Sequence, residues 1–365
     1  MIGNIQLLRG LAALAVAFYH TSYPIPPYGL NTHFNGVAVF FVISGFVMTY
    51  IKRSSPSEFL KNRFARIVPF YWLVSAVMVV AACTGLLNPP YTIPTLIGLA
   101  QNGPWQPFQW LGTNFMAAMT PAEIELIIKS TLFVPMPMSK GPALGVGWSL
   151  NLEVFYYLIF GISLAISKKG APLIVAGVLI ALQMLNGISD NFYWNTYTSQ
   201  NNGYFVAGIA LYYVWQFMSE ERILRWRWVA IAVGGGIAAA YAWAHIAYNL
   251  FYLSSPLIPF GLVLAALLLH SANVRCSWKP ALILGEASYS LYLVHLIILE
   301  AMRPIGAAWP AFNVAVQWPA AVLAVVLSVL IALALHYWIE KPLVRGVRRL
   351  LDRPTPAAKA ALQAG

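Results

Sequence analysis

KRSSPSEFLKNRFARIVPFYWLVSAVMVVAACTGLL, residues 52–87, changes character in its middle. Five Lys and Arg stand between Lys52 and Arg66, and the twenty-one residues from Ile67 to Leu87 carry no charge. About 20 apolar residues in a helix span the hydrocarbon core of a bilayer. Basic residues collect on the cytoplasmic side of such a span. The stretch therefore reads as a cytoplasmic loop running into a membrane helix.

The same alternation recurs in both directions. Apolar runs bounded by charge or by Pro, Gly and Asn lie at about 5–23, 34–51, 67–87, 145–167, 171–187, 203–218, 228–246, 250–270, 281–302 and 318–340. The Pro-rich stretch 92–138 holds only short apolar pieces and reads as a long outer loop with amphipathic or re-entrant parts. With both termini inside, 19 of the 22 Lys and Arg fall on the cytoplasmic side, leaving Lys129, Lys140 and Arg303 outside. The expected fold is an all-α bundle of about ten transmembrane helices, with N and C termini cytoplasmic. Residues 1–342 form one transmembrane domain, and 343–365 a basic cytoplasmic tail that begins as a surface helix. The first run is read as a retained span rather than a leader.

Composition argues against a soluble protein. Of 365 residues, 60% are hydrophobic and 9% charged, with a mean hydropathy of +0.69. A soluble domain carries about a quarter charged residues. Thirteen Trp and nineteen Tyr suit a chain with two membrane interfaces to populate. The net charge of +11 does not point to nucleic acid, because the basic residues recur in short loops instead of forming one patch. Cys83 and Cys276 fall on opposite sides of this topology, so no disulfide framework is implied. No metal is expected.

Ionisable residues inside spans are costly, and so mark candidate sites. In IQLLRGLAALAVAFYH, Arg9 and His20 project from one helix face about 16 Å apart. That puts Arg9 near the cytoplasmic surface and His20 in the outer half of the membrane. From spacing alone Arg9 reads first as a positive-inside anchor, while His20 reads equally as a packed interfacial histidine. In GVGWSLNLEVFYY, Glu153 reaches a depth similar to that of His20, with Ser149 one turn away on the same face. A carboxylate beside an imidazole can orient it. The competing reading is a decorated helix N-terminus. Arg63 and Arg66 share a face where the third span begins, placed to clamp a phosphate-bearing cytosolic ligand or lipid headgroups. Ser44-Gly45 permits close helix approach. In GEASYSLYLVH, Glu286, Tyr289, Ser290, Tyr292 and His295 form a polar stripe that lines a cavity or makes an interhelical cluster. His336 and Glu340, near the inner face, read as packed and snorkelling, and His33, His245 and His270 as peripheral.

LRGLAALAVAFYH, FFVISGF, RFAR, VGWSLNLEVFYY, SYSLYLVH and YWIEKP, in this order, resemble the acyltransferase-3 family of integral membrane acyltransferases. The resemblance runs from Ile5 to Pro342. Gln6 and Leu7 stand where many members carry Asp-Gly, and that opening looks like the bacterial exopolysaccharide-modifying branch. The resemblance implies an O-acetyltransferase of the bacterial inner membrane. Its donor would be acetyl-CoA or another acyl-CoA, and its acceptor a hydroxyl of an exopolysaccharide or related glycan, in company with polysaccharide biosynthesis machinery. It carries functional roles onto Arg9 and His20, onto Arg63 and Arg66, and onto Ser149 and Glu153. The expected catalytic residues are His20, Glu153 and Arg9, the donor-binding ones Arg63 and Arg66, and the substrate-contacting ones Trp148, Ser149, Tyr292 and His295. His20 is the expected general base, with Glu153 orienting its ring; an acyl-histidine intermediate stays open. Some members carry a C-terminal extracytoplasmic esterase-like domain. Without one, the acyl group passes to the acceptor directly or through a separate partner. A transporter with polar permeation stripes and a scaffold in an export assembly are the competing classes.

Overall fold

The computed structural model describes residues 2–21, 36–51, 55–83, 121–137, 141–218, 220–248, 257–307 and 314–352. Among these residues there are helices and no strands. The helices are α1 (Gly3–His20), α2 (Gly36–Tyr50), α3 (Pro56–Cys83), α4 (Pro121–Thr131), α5 (Gly147–Ile166), α6 (Ala171–Met184), α7 (Phe192–Tyr197) and α8 (Asn202–Phe217). They continue as α9 (Glu220–Arg225), α10 (Arg227–Tyr248), α11 (Leu257–Ser271), α12 (Lys279–Glu286), α13 (Ser288–Ala307) and α14 (Val314–Leu335). A π-helical turn, His336–Glu340, then leads into α15 (Lys341–Leu351). Each of the ten apolar runs has a helix in it. An apolar segment in lipid must satisfy its backbone internally, and a helix does so.

Among the described residues, three helical stretches are long and apolar enough to cross a membrane: Pro56–Ala81, Gly147–Ile166 and Ala321–Leu351. Lys279–Glu286 and Ser288–Ala301 make a fourth if counted together, although they meet at a 72° bend. The expected continuous span over 281–302 is thus broken at Ala287. Of the proline-rich stretch 92–138, residues 92–120 and Met138 lie outside the described residues, as do His33 and the side chain of His245. Helix α15 runs through the expected domain boundary after Pro342 and ends at Leu351.

Local chemistry sets the starts of key helices. Ser55 Oγ accepts from the Glu58 N–H at 3.2 Å, with Pro56 at the first helical position, so α3 opens with a serine cap. Helix α5 begins at Gly147 against α3, where a Cβ would lie 2.6 Å from the Tyr71 hydroxyl. Tyr71 in turn bonds Ser130 at 2.9 Å, and Ser130 accepts from Ala143 N–H at 3.1 Å, which ties α4 to this corner.

Two close backbone crossings hold the centre. A Cβ on Gly45 would stand 2.2 Å from the Phe205 carbonyl, and one on Gly208 would stand 2.1 Å from that of Val42. Helices α2 and α8 therefore touch backbone to backbone, as Ser44-Gly45 leads one to expect. A Cβ on Gly285 would lie 2.1 Å from the Gln6 carbonyl, so α12 seats on α1 in the same way. Small residues at such crossings let dispersion replace the hydrophobic drive that lipid does not supply. Outside this core the surface is apolar, with Ile162, Ile166, Met184 and Phe217 exposed. Trp226, Trp228, Trp278 and Trp338 are also exposed, each close in sequence to basic residues, as interfacial anchors are.

Candidate functional site

A cavity opens between α1, α2, α3, α5 and α13. At one end it is lined by Arg9, Arg63 and Arg66, along its length by Ser44, Glu153 and Tyr157, and at the other end by Ser149 and Tyr292. Ser149, Glu153 and Tyr157 sit at intervals of four residues, which puts all three on one face of α5.

Arg9 is buried. Its Nη2 donates to Ser288 Oγ at 3.0 Å and its Nη1 to Gln6 Oε1 at 3.3 Å. The residue is therefore held at the break between α12 and α13, which weighs against a plain surface anchor. Irregular backbone at membrane depth persists where it is packed in protein or lines a cavity; Ser288 and Tyr289 do both. The Arg63 guanidinium lies 5.7 Å from the centroid of Phe59 and 5.8 Å from that of Tyr157, a cation–π seat. Its Nε is buried and has no partner among the described residues.

Glu153 does not meet His20. Its Oε1 accepts from Ser44 Oγ at 3.0 Å and from the Tyr157 hydroxyl. The expectation that it orients the His20 ring is corrected: depth along the helix does not fix direction around its axis. Glu153 faces α2 and the arginine end of the cavity instead. Ser149 is not a side-chain cap either: its hydroxyl donates to the Val146 carbonyl at 3.0 Å and bonds Tyr292 at 2.6 Å. Trp148 is half-buried beside it and packs against the core.

His20 has another imidazole for company. His295 Nε2 lies 3.1 Å from His20 Nδ1, with ring centroids 5.0 Å apart. Each ring also turns Nδ1 toward a backbone carbonyl one turn earlier: Val16 at 2.9 Å for His20, and Leu291 at 3.0 Å for His295. A carbonyl only accepts, so each Nδ1 carries the hydrogen. His295 Nε2 then has a lone pair facing the His20 Nδ1–H, which is shared between that nitrogen and Val16. The consequence is a His20 tautomer whose Nε2 is unprotonated. His295 is fully buried, and its ring centroid is 6.1 Å from that of Tyr292. The histidine pair thus lies just beyond the Tyr292 end of the cavity.

Several of these partners are not evident from the sequence. Ser44, whose place beside Gly45 suggests packing alone, also holds Glu153. Tyr157 carries the one usable signal, its spacing of four residues from Glu153. His336 and Glu340 do not snorkel: both are buried, and Glu340 Oε2 accepts from His336 Nδ1 at 2.7 Å and from Ser290 Oγ at 2.6 Å. Among the described residues no group of three His, Cys, Asp or Glu is arranged to hold a metal ion.

The chain belongs to the acyltransferase-3 family: the family's acyltransferase domain matches residues 2–337. It is similar to the exopolysaccharide production protein ExoZ of Rhizobium meliloti (strain 1021), at 32% identity over 326 residues, 85% of this chain and 89% of that one. Nodulation protein 10 of Rhizobium leguminosarum bv. viciae is 29% identical over 83% of this chain and 84% of its own length. The peptidoglycan O-acetyltransferase OatA of Listeria monocytogenes is 22% identical over 83% of this chain, which spans half of that longer protein. No solved structure matches the chain.

Proposed function

We propose that this chain is a ten-span inner-membrane O-acyltransferase with both ends in the cytoplasm, and that it moves an acetyl group from cytosolic acyl-CoA to a hydroxyl of a bacterial exopolysaccharide or related glycan. The observation that carries this reading is the cavity, which leads from three arginines to Ser149 and Tyr292, with the His20–His295 pair next to that end. A donor with an anionic head and a long uncharged arm fits such a gradient of polarity. The family assignment and the similarity to ExoZ and OatA support the reaction class.

In this mechanism Arg63 and Arg66, with Arg9, hold the donor's anionic end. The thioester carbonyl comes to rest near Tyr292. His20 Nε2 takes the proton of the acceptor hydroxyl as its oxygen attacks that carbonyl. The C–S bond breaks, and the departing thiolate recovers the proton from the His20 imidazolium. His295 does not touch the reacting atoms; as a positioning residue, it accepts from the His20 Nδ1–H and keeps Nε2 unprotonated.

The positioning role is testable by comparing two substitutions. His295→Phe removes the acceptor and should lower kcat about 10²-fold, the scale of a misplaced catalytic group. His295→Gln, whose amide oxygen accepts from the His20 Nδ1–H, should recover much of that loss at unchanged donor KM. Equal losses in both variants would remove His295 from the mechanism. On the donor side, Arg66→Ala should raise the half-saturating acetyl-CoA concentration about tenfold or more, as losing a charge-assisted contact does. Initial rates measured against acetyl-CoA concentration check this, and an unchanged KM would contradict it.

A further inference from the structure

A second space, of about 560 Å³, lies on the other side of Arg9 and Arg66. These two residues line both cavities, so they form the shared wall. The far wall is α15, which contributes Lys341, Arg345 and Arg348. Their spacing of four and then three residues puts them on one helix face. Arg349, the next residue along, does not line the space.

The charges here are not internally neutralised. Lys341 Nζ bonds Glu286 at 2.9 Å, and Glu340 is taken up by His336 and Ser290. Arg9 is bonded to the neutral groups of Gln6 and Ser288. Among the described residues, Arg345 uses its Nε alone, toward the Lys341 carbonyl at 3.3 Å. Among the described residues, the guanidiniums of Arg9, Arg66, Arg345 and Arg348 meet no carboxylate in an ion pair. The wall also contains an orphaned polar atom: His336 is buried, lines the space, and has no partner for its Nε2 among the described residues. An unsatisfied buried group disfavours the empty state, and with Nδ1–H given to Glu340 the Nε2 lone pair is satisfied by a ligand hydroxyl or amine that donates to it. His336 belongs to the π-helical turn, a departure from α geometry that recurs at functional sites.

Four guanidiniums around one space, against the single carboxylate of Glu340 once Glu286 has paired with Lys341, match an anion carrying several phosphates, since each planar fork binds phosphate oxygens in pairs. The volume is within the range of small-molecule sites. The shared arginine wall connects it to the narrower cavity that leads to Tyr292. We propose that this vestibule binds the phosphorylated nucleotide head of the donor, with Arg345 and Arg348 of α15 on its phosphates and Arg9 and Arg66 at the point where the uncharged arm turns inward. This rests on the acyl-CoA reading above, and extends the anion-binding site outward from Arg63, Arg66 and Arg9 to the C-terminal helix. The same polyphosphate chemistry is also offered by anionic lipid headgroups.

The test uses the full chain in phosphatidylcholine nanodiscs and titrates adenosine 3′,5′-bisphosphate, which has the nucleotide head and no thioester arm. The wild-type protein should bind it. The double variant R345A/R348A should bind about 100-fold more weakly, tenfold for each lost charged contact. R349A should bind as the wild type does. Arg345 and Arg348 are exposed, so an unchanged thermal midpoint checks the fold of the double variant. Wild-type affinity in R345A/R348A overturns the vestibule. So does a wild-type protein that ignores the bisphosphate yet transfers acetyl from acetyl-CoA, an outcome that leaves the acyl-CoA reading intact. A protein that neither binds the bisphosphate nor uses acetyl-CoA removes both. Stabilisation by phosphatidylglycerol-containing nanodiscs that depends on Arg345 and Arg348, with none by the bisphosphate, reassigns the site to lipid and overturns the proposal.

Discussion

His20→Ala should lower acyl transfer by about 10²–10⁴-fold, the range expected on removing a general base, while the protein stays folded. His20 is the last residue of α1, and its ring packs against Tyr19 and His295, at centroid distances of 5.2 and 5.0 Å. Truncation at a helix end leaves the central crossings at Gly45, Gly208 and Gly285 untouched. The bonds of Arg9 to Ser288 and Gln6 also survive, so donor affinity should change little. Base-released acetate from the purified polysaccharide measures the product, and size-exclusion of the solubilised protein measures the fold. A monodisperse His20→Ala protein with wild-type acetyl content on the polymer would sink the assignment of the base.

Gly208→Val should be the most damaging change away from the cavity. A Cβ there meets the Val42 carbonyl at 2.1 Å and the Phe46 nitrogen at 2.7 Å, which are backbone atoms and cannot swing aside. The helices must separate, and overpacking of this kind costs about 3 kcal/mol or more. Function should suffer as well, because α2 carries Ser44, which bonds Glu153 across the cavity. Gly177 supplies the control: nothing lies within 4 Å of its notional Cβ, so Gly177→Ala should leave stability level or slightly raised. Thermal unfolding followed by size-exclusion separates the two. A wild-type midpoint for Gly208→Val would mean that α2 and α8 do not cross where these glycines stand.

Much of the architecture is legible in the sequence because hydropathy and charge are one-dimensional signals, as is depth in a membrane. Each of the ten apolar runs holds a helical stretch, and RFAR, SYSLYLVH and YWIEKP help to indicate the family. Direction around each helix axis is less legible. Glu153 and His20 share a depth by residue count, yet Glu153 turns to Ser44 and Tyr157, and the imidazole beside His20 comes from α13. Periodicity gives the face of a helix but not which neighbour that face meets. The break at Ala287 is hidden for a similar reason. GEASYSLYLVH contains no proline, and its bend comes with tertiary contacts: Gly285 on the Gln6 backbone and Ser288 on Arg9. The spacing of four between His336 and Glu340 is visible in the sequence. Their burial is not, since a polar pair at a helix end reads first as an interfacial one.

The central claim is covalent transfer across this bundle, and one measurement addresses it directly. Proteoliposomes holding the purified chain, with exopolysaccharide on one side and acetyl-labelled acetyl-CoA on the other, should deposit label on the polysaccharide as a base-labile ester. The same preparation with His20→Ala should deposit none. Label that crosses the membrane and remains free of the glycan, equally in wild type and His20→Ala, would contradict the account and identify a carrier.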